Sequence, residues 1–379
     1  MTRGIHSVVW LFLVASCALI VSADKSSSYK VVQTIMEGST RLNVVRTDVK
    51  FDTGTVSLLF LLSDLSIIGG QFNDDRFKEQ AIFPGFAIMQ ASRYLDRPLK
   101  RAMQIGLGVG TVPTFLRQQG IPTDVVEISE GVVTLAQAHF DYDLCHSKCK
   151  NGKTVIMDGL KYLQTMAPVQ PSYDLIIIDV YTGYNVVPFY TDETLWLIKE
   201  SWLTQHGVLV VNFVGYYNGP HMDLIRALYV TLRSVFQYVR CFREMADNNR
   251  EEAANIVFYA SSTPITFKLP KGGMYDNPEG YYGVIAHFED WEMFKTNAPE
   301  NIEVAVEQSE YAAGVDFDDL KDVMAPHLVL KKASDFQKYH ETLVATENYM
   351  RYHCIQQFPA QMWRDIGFEV EAPLEQAVA

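Results

Sequence analysis

Three glycines stand at alternate positions in the stretch Met103–Leu116, MQIGLGVGTVPTFL: Gly106, Gly108 and Gly110. They fall where an apolar run gives way to a helix-like one. At such joints α/β proteins turn backbone N–H groups and a helix N-terminus toward a bound nucleotide. The dinucleotide order G-x-G-x-x-G is not met, because Thr111 stands where its third glycine would be. No Gly-Lys-Ser/Thr follows either, as a phosphate-binding P-loop requires. Nicotinamide dinucleotides and nucleoside triphosphates therefore fit poorly, which leaves other nucleosides, a sulfonium nucleoside among them.

Carboxylates recur downstream at strand-like ends. Glu127 follows Gly106 by 21 residues, where an acid can accept both ribose hydroxyls. Asp158, with Gly159 behind it, closes the next apolar run and is placed to accept from an adenine amino group. Asp179 closes LIIID and is the candidate to orient or deprotonate an incoming nucleophile, with Tyr181 as a wall or hydrogen-bond partner. Each acid alone is equally well read as a helix cap or a solvated turn. Three of them beside one glycine loop point to a shared crevice. Tyr184, Asn185 and Asn212 are candidates to flank it.

These residues need a sheet to hold them. From Arg101 strand and helix patterns alternate: RAMQIGLG, TVPTFLRQQG, TDVVEIS, GVVTLAQAHF, KTVIMDG, LKYLQTM, YDLIIIDV, DETLWLIKESWL, GVLVVNFVG and HMDLIRALYVTLRSVF. Continuous apolar strands alternating with helices predict a parallel, doubly wound α/β sheet covered on both faces. YVRCFREM and ANIVFYAS, too close together for a crossover, predict an antiparallel hairpin at its end. Upstream, YKVVQTIM, TRLNVVRTDVKF and TVSLLFLLS read as strands of a small N-terminal β-domain. DDRFKEQAIFPGFAIMQASRYLDRP reads as a helical stretch interrupted near Pro84. After Ser262, prolines and glycines mark a loop before a mixed, mainly helical C-terminal extension. The expected boundaries are 1–23, 24–75, 76–262 and 263–379.

The 379 residues are 48% hydrophobic and 12% aromatic, which places the chain among globular proteins. A formal charge of −13 argues against a nucleic-acid surface, which needs a basic footprint. It suits cationic partners or simply solubility. Residues 1–23 read as a cleaved secretory signal, with an uncleaved membrane tether through 8–23 as the alternative; either puts the rest in a secreted or lumenal compartment. Cys145 and Cys149 flank His146 at a spacing open to a local disulfide, to free thiols or to a metal. No matching second pair supports the metal, and none is expected.

QIGLGVGTVPTFLRQQGIPTDVVEIS, MDGLKYL, YDLIIIDVYTG and VPFYTDETLWLIKESWLTQHGVLVVNFVG together resemble the spermidine synthase-like (polyamine biosynthesis) family of class I S-adenosylmethionine-dependent transferases. The upstream SDLSIIGGQFNDDRFKEQ is similar to that family's segment between its two domains. The resemblance implies a Rossmann-like, seven-stranded methyltransferase-type sheet, a small β-domain and a homodimer. It also implies S-adenosylmethionine or its decarboxylated form as co-substrate, with Gln71 near the nucleoside, Glu127 at the ribose, Asp158 at the adenine and Asp179 at the reacting amine. Aminopropyltransferases carry D-[ST]-[ST]-D-P after the fourth strand. Here Thr182 replaces the second acid, Phe77-Lys78-Glu79 replaces Tyr-His-Glu, and a late Tyr-Pro-Ser-Gly segment is missing. The departures shift the expectation toward methyl transfer to a small amine or a protein. Aminopropyl transfer and a catalytically inactive binding module stand as alternatives.

Overall fold

The computed structural model describes residues 28–51, 54–144, 150–244, 252–276, 280–294 and 328–370. The leader-like residues 1–23 and the Cys145–Cys149 segment lie outside these. An antiparallel sheet comes first, in the order β1 (Tyr29–Glu37), β2 (Thr40–Phe51), β3 (Gly54–Ser63), β4 (Ser66–Phe72). The fourth strand, SIIGGQF, adds to the three expected. The apolar run of β3 explains the sheet's setting, because it buries side chains on both faces. Val45, Leu58, Phe60 and Leu62 pack on one face, and Val44, Leu59 and Leu61 on the other with Leu107, Val109 and Val132 of the following domain.

Helix α1 spans Pro84–Gln90 and runs into a 3-10 turn, Ala91–Tyr94. The expected helix with an interruption at Pro84 is corrected: Pro84 opens the helix. A proline lacks the N–H that the first helical position leaves unused, and its fixed φ suits a start rather than a continuation. Phe83 before it is extended, with no side-chain cap and no acid in the first turn.

The alternating segment forms β5 (Ala102–Ile105), α2 (Thr111–Gln118), β6 (Thr123–Glu127), α3 (Glu130–His139), β7 (Thr154–Ile156), α4 (Gly159–Thr165), β8 (Tyr173–Ile178), α5 (Asp192–Ser201), β9 (Leu203–Tyr216), α6 (Asp223–Val235), β10 (Tyr238–Arg243) and β11 (Ala253–Ser261). The seven strands lie in the order β10-β11-β9-β8-β5-β6-β7. Pairs from β7 to β9 are parallel, whereas β11 is antiparallel to both β9 and β10. The hairpin expected at the sheet's end is present, with β11 inserted beside β9. Strand order reverses at β5, between β6 and β8, so the crevice outside the carboxyl ends there is where such sheets bind ligands.

The C-terminal extension carries α7 (Tyr281–His287), α8 (His340–Gln356) and α9 (Ala360–Asp365). α8 packs against β4, β9 and β11. Phe358, Met362, Trp363 and Ile366 cover the outer face of the N-terminal sheet. That face is apolar, so the extension is part of the core. No helix among the described residues is long and apolar enough to cross a membrane.

Trp363 is fully buried against that sheet, and its indole N–H donates to the Ile355 carbonyl. Trp363→Ala is expected to lower unfolding free energy by about 3–5 kcal/mol in urea titration, the usual range for emptying such a site. A loss under about 1 kcal/mol would show that the extension does not close this face.

Candidate active site

The glycine loop leaves β5 at the point of strand reversal. All three glycines have positive φ: +90° at Gly106, +55° at Gly108 and +84° at Gly110. A Cβ on Gly106 would fall inside the Asp179 carbonyl oxygen, and one on Gly108 would lie 2.5 Å from the Ile68 carbonyl oxygen of β4. The loop is thus pressed between the end of β8 and the N-terminal sheet. Only glycine allows both the turn and the approach. Pro113 sits in the first turn of α2, as expected.

Glu127 ends β6 and is 8% exposed. Its carboxyl accepts from the Leu107 N–H at 2.8 Å and the Ser129 N–H at 2.9 Å, tying the glycine loop to the start of α3. Burial raises its pKa, and the backbone N–H bonds oppose that rise. Each carboxyl oxygen takes one of these bonds and keeps further acceptor capacity. Immediately beyond, Ile128 is 63% exposed, and Ile156, paired with Glu127 across the strands, is 46% exposed. Both are apolar side chains that face water beside the acid. Residue patterns had not singled them out.

Asp158 caps α4 by accepting from the Lys161 N–H at 2.8 Å and is itself exposed. Gly159 behind it lies against Ile105 and Phe189, where a Cβ would meet the Ile105 side chain at 2.5 Å. Gln71 points from β4 toward the mouth of a small cleft with Lys78, Gly110 and Thr111, its amide 3.5 Å from the Lys78 carbonyl. The Lys78 ammonium is held by Asp75 at 2.8 Å and Asp141 at 2.7 Å, so its charge is matched locally.

Asp179 follows β8, with its N–H bonded to the Ile105 carbonyl. The side chain of Asn212 donates to its Oδ1 at 2.9 Å. Burial pushes the Asp179 carboxyl up to about 6, against the lowering effect of that bond. Asn212, a candidate to flank the crevice, is buried and bonded to Asp179. It also donates to Asn255 Oδ1 at 3.1 Å, and Asn255 in turn donates to Glu244 Oε2 at 2.9 Å. Asn255 and Glu244 escaped the residue patterns. Their signal was an amide side chain near the start of the apolar strand ANIVFYAS and an acid just after the hairpin's first strand.

Tyr181 donates to the Gly183 carbonyl at 3.0 Å, and burial raises its pKa. Its surroundings include Glu347, Arg351 and Cys354 of α8, so the extension helix stands against this loop. Asn185 brackets Val214 of β9 with bonds to its carbonyl and N–H, at 2.7 and 3.1 Å. That anchors the loop and commits its amide. Tyr184 is exposed, as is Thr182. Cys241 and Cys354 are buried free thiols. Among the described residues no group of three or more His, Cys, Asp or Glu is arranged to hold a metal.

Comparison with a solved structure decides the architecture. The chain is similar to a probable spermidine synthase from Corynebacterium glutamicum, with a TM-score of 0.50 and 17% identity over 65% of this chain and 85% of that one. The chain has the spermidine synthase fold. The expected N-terminal β-sheet and seven-stranded methyltransferase-type sheet of that fold are both present. In sequence it is similar to an N-terminal histidine N-methyltransferase from Emericella nidulans, 29% identical over 248 residues. That match covers 58% of this chain and 42% of the relative, so the chain spans less than half of that protein's length. No protein-family model matches.

Asp179's folded pKa of about 6 lies above its ordinary value of 3.8, so the native state holds that proton more tightly than the unfolded chain. Between these values its contribution to stability falls as pH rises, by up to about 3 kcal/mol. Urea titrations of the parent protein and Asp179→Asn at pH 4, 5 and 7 should show the parent's advantage shrinking upward through that window. A constant or growing advantage would contradict the carboxyl's burial.

Proposed function

We propose that the chain is an S-adenosylmethionine-dependent methyltransferase whose acceptor is a nitrogen nucleophile, the imidazole of a peptide's N-terminal histidine. The observation that carries the reading is Asp179: one carboxyl at the strand-reversal crevice, held by Asn212 and poised near pH 6, with exposed Thr182 where a second acid would be needed. The acceptor class comes from the relative named above.

The residues present fit the nucleoside. Glu127's remaining acceptor capacity suits two ribose hydroxyls, Ile128 and Ile156 suit the faces of a base, and Asp158 suits an exocyclic amine. When bound, the sulfonium supplies an electrophilic methyl carbon, whose bond to sulfur breaks, with the electron pair going to sulfur, as the acceptor's nitrogen lone pair forms the new N–C bond. Asp179 accepts the N–H on the ring's other nitrogen and thereby aims the lone pair. It then takes that proton as positive charge develops on the ring. A carboxylate near 6 is matched to an imidazole near 6.5, so the transfer is close to balanced. Orientation supplies most of the remaining acceleration. A diamine is suited less well. Its distal ammonium would need an acid partner on leaving water, and Thr182 offers none.

The test is transfer of labelled methyl from S-adenosylmethionine to a histidine-first peptide, the same peptide with alanine first, and putrescine. Label is expected on the histidine-first peptide alone. Asp179→Asn should lower kcat by about 10²–10⁴, the usual worth of a positioned base, without weakening nucleoside binding. Aminopropyl transfer from the decarboxylated nucleoside to putrescine would replace this reading with polyamine synthesis. Full activity in Asp179→Asn would remove its central residue.

A further inference from the structure

We infer that Glu244 is a positioning residue which, through Asn255 and Asn212, fixes the polarity of an amide row so that Asp179 is met by a donor. The inference rests on Asp179 being the proton-accepting group proposed above. The four side chains form one row along the carboxyl edge of the sheet, across β8, β9, β11 and β10. Register places them there: Ile178 pairs with Val211, so Asp179 lies level with Asn212. Asn255 pairs with Val214 and Val257 with Asn212, making Asn212 and Asn255 diagonal neighbours. Glu244 faces Asn255 just beyond the last hairpin pair, with its N–H bonded to the Asn255 carbonyl.

The direction of the row follows from donor counts. Glu244 Oε1 accepts from the Asn255 N–H at 2.9 Å, and Oε2 accepts from Asn255 Nδ2 at 2.9 Å and the Gly85 N–H at 3.0 Å. An ionised carboxylate has acceptors only, so Asn255 must turn its NH2 toward Glu244 and its oxygen toward Asn212. Asn212 must then present its NH2 to both Asn255 and Asp179. Its own Oδ1 is turned from both and lies buried with no partner among the described residues. The reverse orientation would set an amide oxygen against the Asp179 carboxylate and hold a proton on it.

Glu244 has a second, purely structural use. It supplies α1's start with the acceptor and the negative charge that helix lacks in its own sequence. The experiment has to separate the two. Facing Asp179, besides Asn212, is the hydroxyl-bearing ring of Tyr190 from the turn Val187–Tyr190. Facing Glu244 are the uncharged Gly85 N–H and Asn255. Burial raises the Glu244 pKa as it does that of Asp179, and the three N–H bonds oppose the rise.

Carboxyl-13C aspartate NMR of the full chain reads Asp179 directly, its signal assigned by loss in Asp179→Asn. Glutamine at 244 keeps one acceptor oxygen and presents an NH2, and where that NH2 faces Asn255 Nδ2, turning Asn255 and Asn212 over removes the clash between the side chains. Glu244→Gln should therefore raise the Asp179 midpoint by about one pH unit, a tenfold change in proton affinity. The acid limb of kcat/KM should move by the same amount, with S-adenosylmethionine affinity unchanged. Asn255→Ala frees Asn212 by a second route and should also raise the midpoint. If either variant loses stability while the Asp179 midpoint stays put, Glu244 is a helix cap and the inference falls. If the midpoint moves but neither parent nor variant transfers methyl, the inference stands and the methyltransferase reading falls.

Discussion

The approach of two backbones at Gly106 and Asp179 is the constraint on which the rest depends. Strands β5 and β8 are parallel neighbours, and the loops that leave them pass close together where the sheet's order reverses. The Asp179 carbonyl occupies the space that a side chain at 106 would take. Beside this pinch the Leu107 N–H bonds Glu127, and Asp179 bonds Asn212, which strand register sets level with it. Glu127 and Asp179 therefore lie on either side of one close contact. A methyl group at residue 106 would disturb both.

The pinch is held from outside by two additions to the sheet. Strand β4 lays the Ile68 carbonyl on Gly108, and a Cβ on Gly69 would lie 2.9 Å from the Val109 side chain. Gly183, on the loop after β8, lies where a Cβ would meet the Ser66 hydroxyl at 2.6 Å. The N-terminal sheet thus restrains both loops that line the crevice. It is buried on two faces, the outer one by α9 and the end of α8. Cys354 on α8 accepts from the Ile67 N–H at 3.4 Å, which joins extension to sheet beside the site. Residues more than two hundred positions apart in the chain frame one crevice.

What was legible in the sequence was local. Apolar strands alternating with helices announce a parallel sheet, and Gly106, Gly108, Gly110, Glu127, Asp158 and Asp179 are marked by position at strand ends. The hairpin after α6 was readable from the short gap between its strands. The order β9-β11-β10 was not, because a hairpin's insertion depends on packing. Pro84 could be read as a break or a start, and only the extended Phe83 before it decides. Asp158 illustrates a different limit: a helix cap and a nucleoside contact ask for the same residue at the same place. The row from Asp179 to Glu244 was hidden for a third reason. Its members come from four strands and meet only through register, which no single segment encodes. The contacts of α8 were equally out of reach, since its sequence, HETLVATENYMRYHCIQ, lacks a clear apolar stripe.

Whether the glycine loop and Glu127 cradle an adenosyl sulfonium is read by titration calorimetry of the folded chain. S-adenosylmethionine and S-adenosylhomocysteine should bind at one site per chain, with the decarboxylated nucleoside weaker, and Glu127→Ala should weaken all three. A folded protein that gives no heat with any of them, or equal affinity in Glu127→Ala, would mean that this loop is not an adenosyl site.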